Sequence, residues 1–116
     1  MEIISFEDFK KLEIRIGKII SAEKVENSNK LLKLQVDFGT DPSTGSGQVI
    51  RQILAGIAKF YEPEALVGKE CPFAFNLASK MLGEIESQGM ILCPSDENGP
   101  VLLHPDKPVP PGSLIK

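Results

Sequence analysis

The clearest hydrophobic pattern lies at 32–38, where Leu32, Leu34, Val36 and Phe38 alternate with Lys33, Gln35 and Asp37. Period two marks a strand with one buried face. The stretch before it, Ile14–Val25, also alternates, but its phase slips after Gly17. A slip beside glycine predicts a β-bulge that bends a long strand. Asn27-Ser28-Asn29 supplies turn chemistry between the two. Gln48–Ile57 predicts a third strand, with Arg51 and Gln52 set into an otherwise apolar run. Lys69–Asn76 predicts a fourth, with Cys71, Phe73 and Phe75 on one face, and Gly89–Cys93 a fifth. By the same alternation Phe6, Phe9, Phe38, Phe73 and Phe75 are core, leaving Phe60 and Tyr61 as exposed rings.

The remaining elements are short. Ser5 is placed to N-cap a helix over 5–12, with Asp8 as its capping-box partner. Pro63-Glu64-Ala65-Leu66 reads as one helical turn stopped by Gly68. Gly39–Gly47 is a loop by composition. Ser95–Gly99 is a polar turn, and Val101–Leu103 predicts a short sixth strand. The proline-rich tail from Pro105 is expected to pack as extended chain without regular pairing. Five strands with a helical turn between the third and fourth is the layout of an all-β, five-stranded Greek-key barrel, the OB-fold. In that layout 1–13 is an N-terminal helix, 14–93 the barrel and 94–116 a C-terminal extension. Barrels of this kind bind ligands on a strand face and through the loops after strands one and four.

Composition narrows the partners. The net charge is −3, but from Arg15 to Lys80 there are nine basic and seven acidic residues, while the two ends hold four and nine. The strand-forming part is thus the more basic, and a clustered excess steers polyanions. No apolar run is long enough to span a membrane, and no leader precedes Phe6, so no membrane association and a cytoplasmic location are expected. Cys71 and Cys93 sit in apolar runs and read as reduced core thiols. Those two with the single His104 make no metal pattern. No nucleophile, phosphate-loop or paired-carboxylate constellation is present, so neither catalysis nor a cofactor is expected.

The stretch after the fourth strand, Asn76 to Met90, holds the chemistry. It combines Gly83 and Gly89 with Asn76, Lys80, Ser87 and Gln88, donors suited to an anionic or carbonyl-rich ligand. Lys30, Lys33, Arg51, Lys59 and Lys80 can converge on one side of a small barrel. The alternative for each is ordinary solvated charge. Aromatic rings are too few for a row of stacking platforms. That favours a structured RNA held through backbone and shape.

The chain resembles the tRNA-binding domain found alone in small proteins and at the C-terminus of methionyl-tRNA synthetases. The matching blocks are Asp8–Gly17, Ser28–Leu34, Arg51–Tyr61, Leu66–Lys69, Asn76-Leu77 with Lys80–Gly83, Ser87–Leu92, and Val101–Leu103 with Val109–Gly112. The resemblance implies non-catalytic, structure-specific binding of tRNA by a homodimer that grips the outer corner of the molecule. It implies RNA contact by Lys30, Lys33, Arg51, Asn76, Lys80, Ser87 and Met90, and dimer contact by Val101, Leu102, Leu103, Val109 and Pro110. Two departures stand out. Ser79 replaces the arginine many relatives carry before the lysine, and the loop Asp41–Gly47 is longer than usual. Alternatives are a β-subunit that serves a methionyl-tRNA synthetase catalytic chain, and an export-related chaperone that binds peptides. Members of that chaperone branch usually depart from Ser87-Gln88-Gly89-Met90.

Overall fold

Alternation in the sequence becomes a curled antiparallel sheet. β1 (Ile14–Lys24), β2 (Leu32–Thr40), β3 (Gln48–Ala55) and β4 (Glu70–Ala74) are joined by a two-residue β-run at Met90–Ile91, in the order β3-β2-β1-β4 and then Met90–Ile91. This is the five-strand barrel order expected for an OB-fold. The computed structural model describes residues 1–40 and 47–116, so the core of the expected loop, 41–46, lies outside the described residues. Inward positions behave as the pattern requires. Ile19, Leu32, Leu34, Val36, Ile53 and Phe73 are fully buried and form one core with Phe38 and Cys71. The turn of helix at Pro63–Leu66 places Leu66, also fully buried, against that core, and Gly68 ends it at φ +90°.

The slip at Gly17 resolves into two features. Ile16 is buried on the outer side, in the hollow with Leu103 and Leu114, whereas Gly17 faces the core, where a Cβ would stand 2.4 Å from Val36 Cγ1. The glycine lets β1 lie tightly on β2. The ladder itself shifts a few residues later, between Ile19 and Ser21, leaving Ile20 as the extra residue. β1 therefore bends and changes partners. Residues 14–18 pair with β4, and 18–24 pair with β2.

That division leaves the first half of β1 with an open edge, and the C-terminal tail covers it. Leu114–Ile115 pair with Arg15 and Ile14, Ile16 N–H donates to Ser113 O at 2.8 Å, and Gly112 N–H donates to Ile16 O at 2.7 Å. The tail was expected to avoid regular pairing; the prolines end at Pro111, and the four residues after Pro111 up to Ile115 carry the ladder. Gly112, at φ +90°, is packed so closely that a Cβ would meet Phe38 O at 2.1 Å.

Other expectations need correction. Val101–Leu103 is not a strand; a small hairpin forms just before it, Ser95–Asp96 with Gly99–Pro100. The segment after β4, read as a loop, holds a second hairpin, Lys80–Leu82 with Ile85–Ser87. The N-terminal helix covers only Phe6–Lys10, with Ser5 Oγ accepting from Asp8 N–H at 3.1 Å. It buries no side chain, and Phe6 is 68% exposed, because so short a helix lies outside the barrel. Tyr61 is not a free ring. Its hydroxyl donates to Pro100 O and accepts from Leu102 N–H, which pins the C-terminal extension.

Replacing Gly112→Val should force the tail off β1. Amide exchange at Ile16 should then accelerate and unfolding free energy should fall by about 1–3 kcal/mol. An Ile16 amide as protected as in the wild type would contradict the tail's role as an edge cover.

Candidate nucleic-acid interface

For the sites above the barrel, the labels run on as β5 (Lys80–Leu82), β6 (Ile85–Ser87) and β7 (Met90–Ile91). The turn between β1 and β2 and the β5–β6 hairpin stand on either side of an open groove of ≈ 1050 Å³. Val25, Glu26, Ser28 and Lys30 form one wall, Leu82, Gly83 and Glu84 the other, and Gly56 lies between. The turn is shaped by Asn27 at φ +67° and by Ser28 Oγ, which accepts from Lys30 and Leu31 N–H. An amide side chain tolerates the left-handed region better than most. Lys30 O accepts from Ala58 N–H at 3.0 Å, which brings the backbone beside Lys59 next to Lys30. Lys30, Lys59 and Lys80 are all exposed. Lys33 is partly spent, its Nζ 2.7 Å from Glu23 Oε1. Glu26, Glu84 and Glu86 on the same features dilute the positive field.

The hairpin is held by the residues that sequence reasoning assigned to ligand contact. Ser87 is buried; its Oγ accepts from Leu54 N–H at 3.0 Å and donates to Gly89 O at 3.0 Å. Gln88 Oε1 accepts from Gln52 N–H at 3.0 Å, and Gln88 N–H donates to Gln52 O at 2.8 Å. Gln52 Nε2 reaches back to Glu86 O at 2.9 Å. These side chains therefore act as the missing neighbour of β3. Gly89 completes the join at φ +151°, where a Cβ would lie 2.9 Å from Ala74 O. The Ser87-Gln88-Gly89 run closes the barrel and sets the position of the hairpin. It offers a ligand little besides what lies on the hairpin's outer side.

Arg51 and Asn76 are likewise committed. Arg51 shares inward parity with Ile53 and Ala55 and lies over the Phe75 ring at 3.8 Å from its centroid. It also donates to Phe75 O. Arg15 lies over the same ring at 4.9 Å, held by Glu13 at 2.6 Å. Burial, and then the neighbouring Arg15 charge, push the Arg51 guanidinium below its ordinary value, with Glu13 opposing. Asn76 Oδ1 accepts from Glu13 N–H and its Nδ2 donates to Lys11 O, both at 2.7 Å, tying the end of the N-terminal helix to β4. Met90 and Met81 are about half exposed, at 49% and 57%. The exposed outward set is thus Lys30, Lys59, Lys80 and Met90, with Lys33 shared. Gln52 and Phe75 were missed as organisers; the only sequence signal was a glutamine inside an apolar run.

A second surface is apolar. One hollow of ≈ 330 Å³ is lined by Leu103, Val109, Leu114 and Ile115 among others. Its neighbour of ≈ 310 Å³ shares Leu114 and Ile115 and adds Phe6, Phe9 and Leu12. Leu102 packs inward against the core, whereas Val101 and Leu103 face solvent. Val109 is half-buried and Pro110 exposed.

A small antiparallel barrel with a groove between its first turn and a hairpin after its fourth strand is a binding module of the OB class. Residues 14–114 match the family described as a putative tRNA binding domain, and the chain belongs to that family. It is 45% identical over 115 residues to the methionine–tRNA ligase of Methanococcoides burtonii, covering 98% of this chain but only 16% of that protein. It superposes on a MetRS related protein from Pyrococcus horikoshii with TM-score 0.87, 35% identity and full coverage of both chains. It superposes on the chaperone CsaA from Bacillus anthracis with TM-score 0.84 and 31% identity, covering 99% of this chain and 100% of that one. Among the described residues no helix is long and apolar enough to cross a membrane.

Removing the hydroxyl in Ser87→Ala leaves the Leu54 amide without its acceptor and should cost about 1–3 kcal/mol. Urea unfolding reads this as a lower midpoint at unchanged slope. An unchanged midpoint would mean that the clasp does not support the barrel.

Proposed function

We propose that this chain binds tRNA by shape and backbone, without catalysis, through the groove between the β1–β2 turn and the β5–β6 hairpin. One observation carries the reading: in a member of the tRNA-binding family, Lys30 lines that groove, Lys59 lies beside it and Lys80 stands on the hairpin that walls it. Lysines on mobile stems neutralise phosphates as point charges without reading bases. Ser87 and Gln88 contribute chiefly by holding the hairpin wall on β3, Arg51 and Asn76 by bracing the barrel frame beside it, and Met90 offers an apolar contact at the edge. Ser79 supplies no cation beside Lys80, and the nearby glutamates oppose phosphate, so the affinity is modest and strongly salt-dependent.

The homodimer is part of the same reading. The continuous apolar face formed by Leu103, Val109, Leu114, Ile115 and the N-terminal helix supports self-association, with Val101 and Pro110 at its margin. The chain serves either as a free tRNA-binding protein in the cytoplasm or as a unit that supplies tRNA affinity to a methionyl-tRNA synthetase catalytic chain. The likeness to a chaperone, together with the exposed Leu77, Met81 and Met90, supports a second reading in which the groove takes extended peptides.

Titrating tRNA against salt tests the site. Lys30→Glu with Lys80→Glu should weaken binding and lower the magnitude of the slope of log K against log salt by about 1.5–2. Arg51→Glu is unsuitable for this purpose because it would break the stack on Phe75. Equal slopes for wild type and double variant would rule out this groove. Unfolded polypeptide that displaces tRNA at low concentration would favour the peptide reading. For the dimer, sedimentation should show two copies for wild type and one for Leu103→Asp with Leu114→Asp; a monomeric wild type at micromolar concentration would overturn it.

A further inference from the structure

We propose that Cys71 and Cys93 are a redox pair that closes a cross-strand disulfide between β4 and the chain leaving β7. Register carries the argument. Phe73 pairs with Ile91 and Ala74 with Met90. Leu92 N–H donates to Pro72 O at 3.0 Å, so the pairing continues past the regular strand. One further step sets Cys93 opposite Cys71. Pro72 and Leu92 form a hydrogen-bonded pair, and such pairs alternate with non-hydrogen-bonded ones. Cys71 and Cys93 thus come next at the position just past the last ladder bond, where Glu70 O is taken by His104 Nδ1 and Pro94 O by Val101 N–H; in a regular ladder that position is a non-hydrogen-bonded pair with Cα atoms about 4.5 Å apart. That falls inside the range of about 4.4–6.8 Å found for disulfides. By alternation both thiols point to the side of Phe73 and Ile91. Both cysteines are reduced in this structure, Cys71 buried and Cys93 half-buried.

The chemistry is a thiol–disulfide exchange with a small disulfide such as oxidised glutathione as oxidant. The more exposed Cys93 loses its proton to solvent and attacks one oxidant sulfur, forming a mixed disulfide and expelling one thiolate. Cys71, deprotonated in turn, attacks the Cys93 sulfur and expels the second. Two electrons pass to the oxidant, which leaves as two thiols carrying the two protons. Burial raises both thiols, Cys71 to about 11, where the Lys69 charge opposes the rise and the neighbouring Cys93 adds to it. Since the thiolate is the nucleophile, the reaction is slow at neutral pH and quickens as pH rises.

The position of the bond gives it a consequence. The loop that it closes, 72–92, contains the whole β5–β6 hairpin and the Ser87-Gln88-Gly89 clasp. Oxidation therefore staples both ends of the hairpin segment together. It also draws Cys71 Sγ away from His104 Nδ1, which lies 3.7 Å from it and 2.7 Å from Glu70 O. Redox state is thereby coupled to the anchoring of one groove wall and to the C-terminal extension.

The test is oxidation of the folded chain by oxidised glutathione at pH 8.5, followed by non-reducing peptide mapping. Expected are an intramolecular Cys71–Cys93 link in the wild type, its loss in Cys71→Ala and in Cys93→Ala, and a larger linked fraction at equilibrium in the folded than in the urea-unfolded chain at the same ratio of reduced to oxidised glutathione. The linked form should also show a raised urea midpoint and a shifted His104 imidazole resonance. Glutathione adducts alone, links only between chains, or a linked fraction no larger than in the unfolded chain would each overturn the proposal.

Discussion

The barrel depends on how the outer edge of β3 is satisfied. One edge of β3 pairs with β2 along its length. On the other, the amides of Gln52 and Leu54 are taken up by the side chains of Gln88 and Ser87, not by a further strand. A buried amide without a partner costs as much as a lost hydrogen bond or more. The two side chains therefore decide that the sheet closes on itself and where it closes. Because they lie at the end of β6 and just before β7, the same bonds place the hairpin that walls the groove. Barrel closure and the position of the hairpin rest on one short run of sequence.

Beside this clasp, whose Gln88 O also accepts from Arg51, lies charge over a ring. Arg51 and Arg15 share Phe75, which meets Phe38 edge-on at 4.9 Å, and Phe38 meets Phe73 at 5.5 Å. A part-buried guanidinium over an aromatic face is worth roughly 1 kcal/mol. The arrangement also explains why cationic positions in one strand-rich region divide between two jobs. Arginines with planar heads stack and hydrogen-bond inside the barrel mouth, whereas lysines stay at the surface with their charge in solvent.

The tail shows the same economy. β1 bends at Ile20 and gives its two halves to different partners, which exposes an edge. The residues after Pro111 fill that edge, and in doing so bring Leu114 and Ile115 beside the N-terminal helix. The apolar face proposed above for self-association is a by-product of edge protection. Asn76, joined to both Lys11 and Glu13, fixes the helix beside it.

Strand existence and order followed from alternation: Leu32–Phe38, the apolar run after Gln48, and the Cys71–Phe75 face all folded as the pattern requires, because period-two burial is a local property. The family was legible for the same reason, as ordered blocks in one chain. The groove's lysines were also visible as exposed positive charge. What the sequence could not reveal was the direction of the polar side chains in Asn76–Met90. Asn, Ser and Gln can serve a ligand or a backbone equally well, and only closure of β3 against β7 decided that Ser87 and Gln88 turn inward. The tail's pairing was hidden likewise, since the open edge of β1 exists only after the strand has bent. Proximity of Cys71 to Cys93 needed the register of β4 on β7. Local periodicity determined the elements; the accounting of buried hydrogen bonds between elements distant in sequence decided which residues remain to meet a partner.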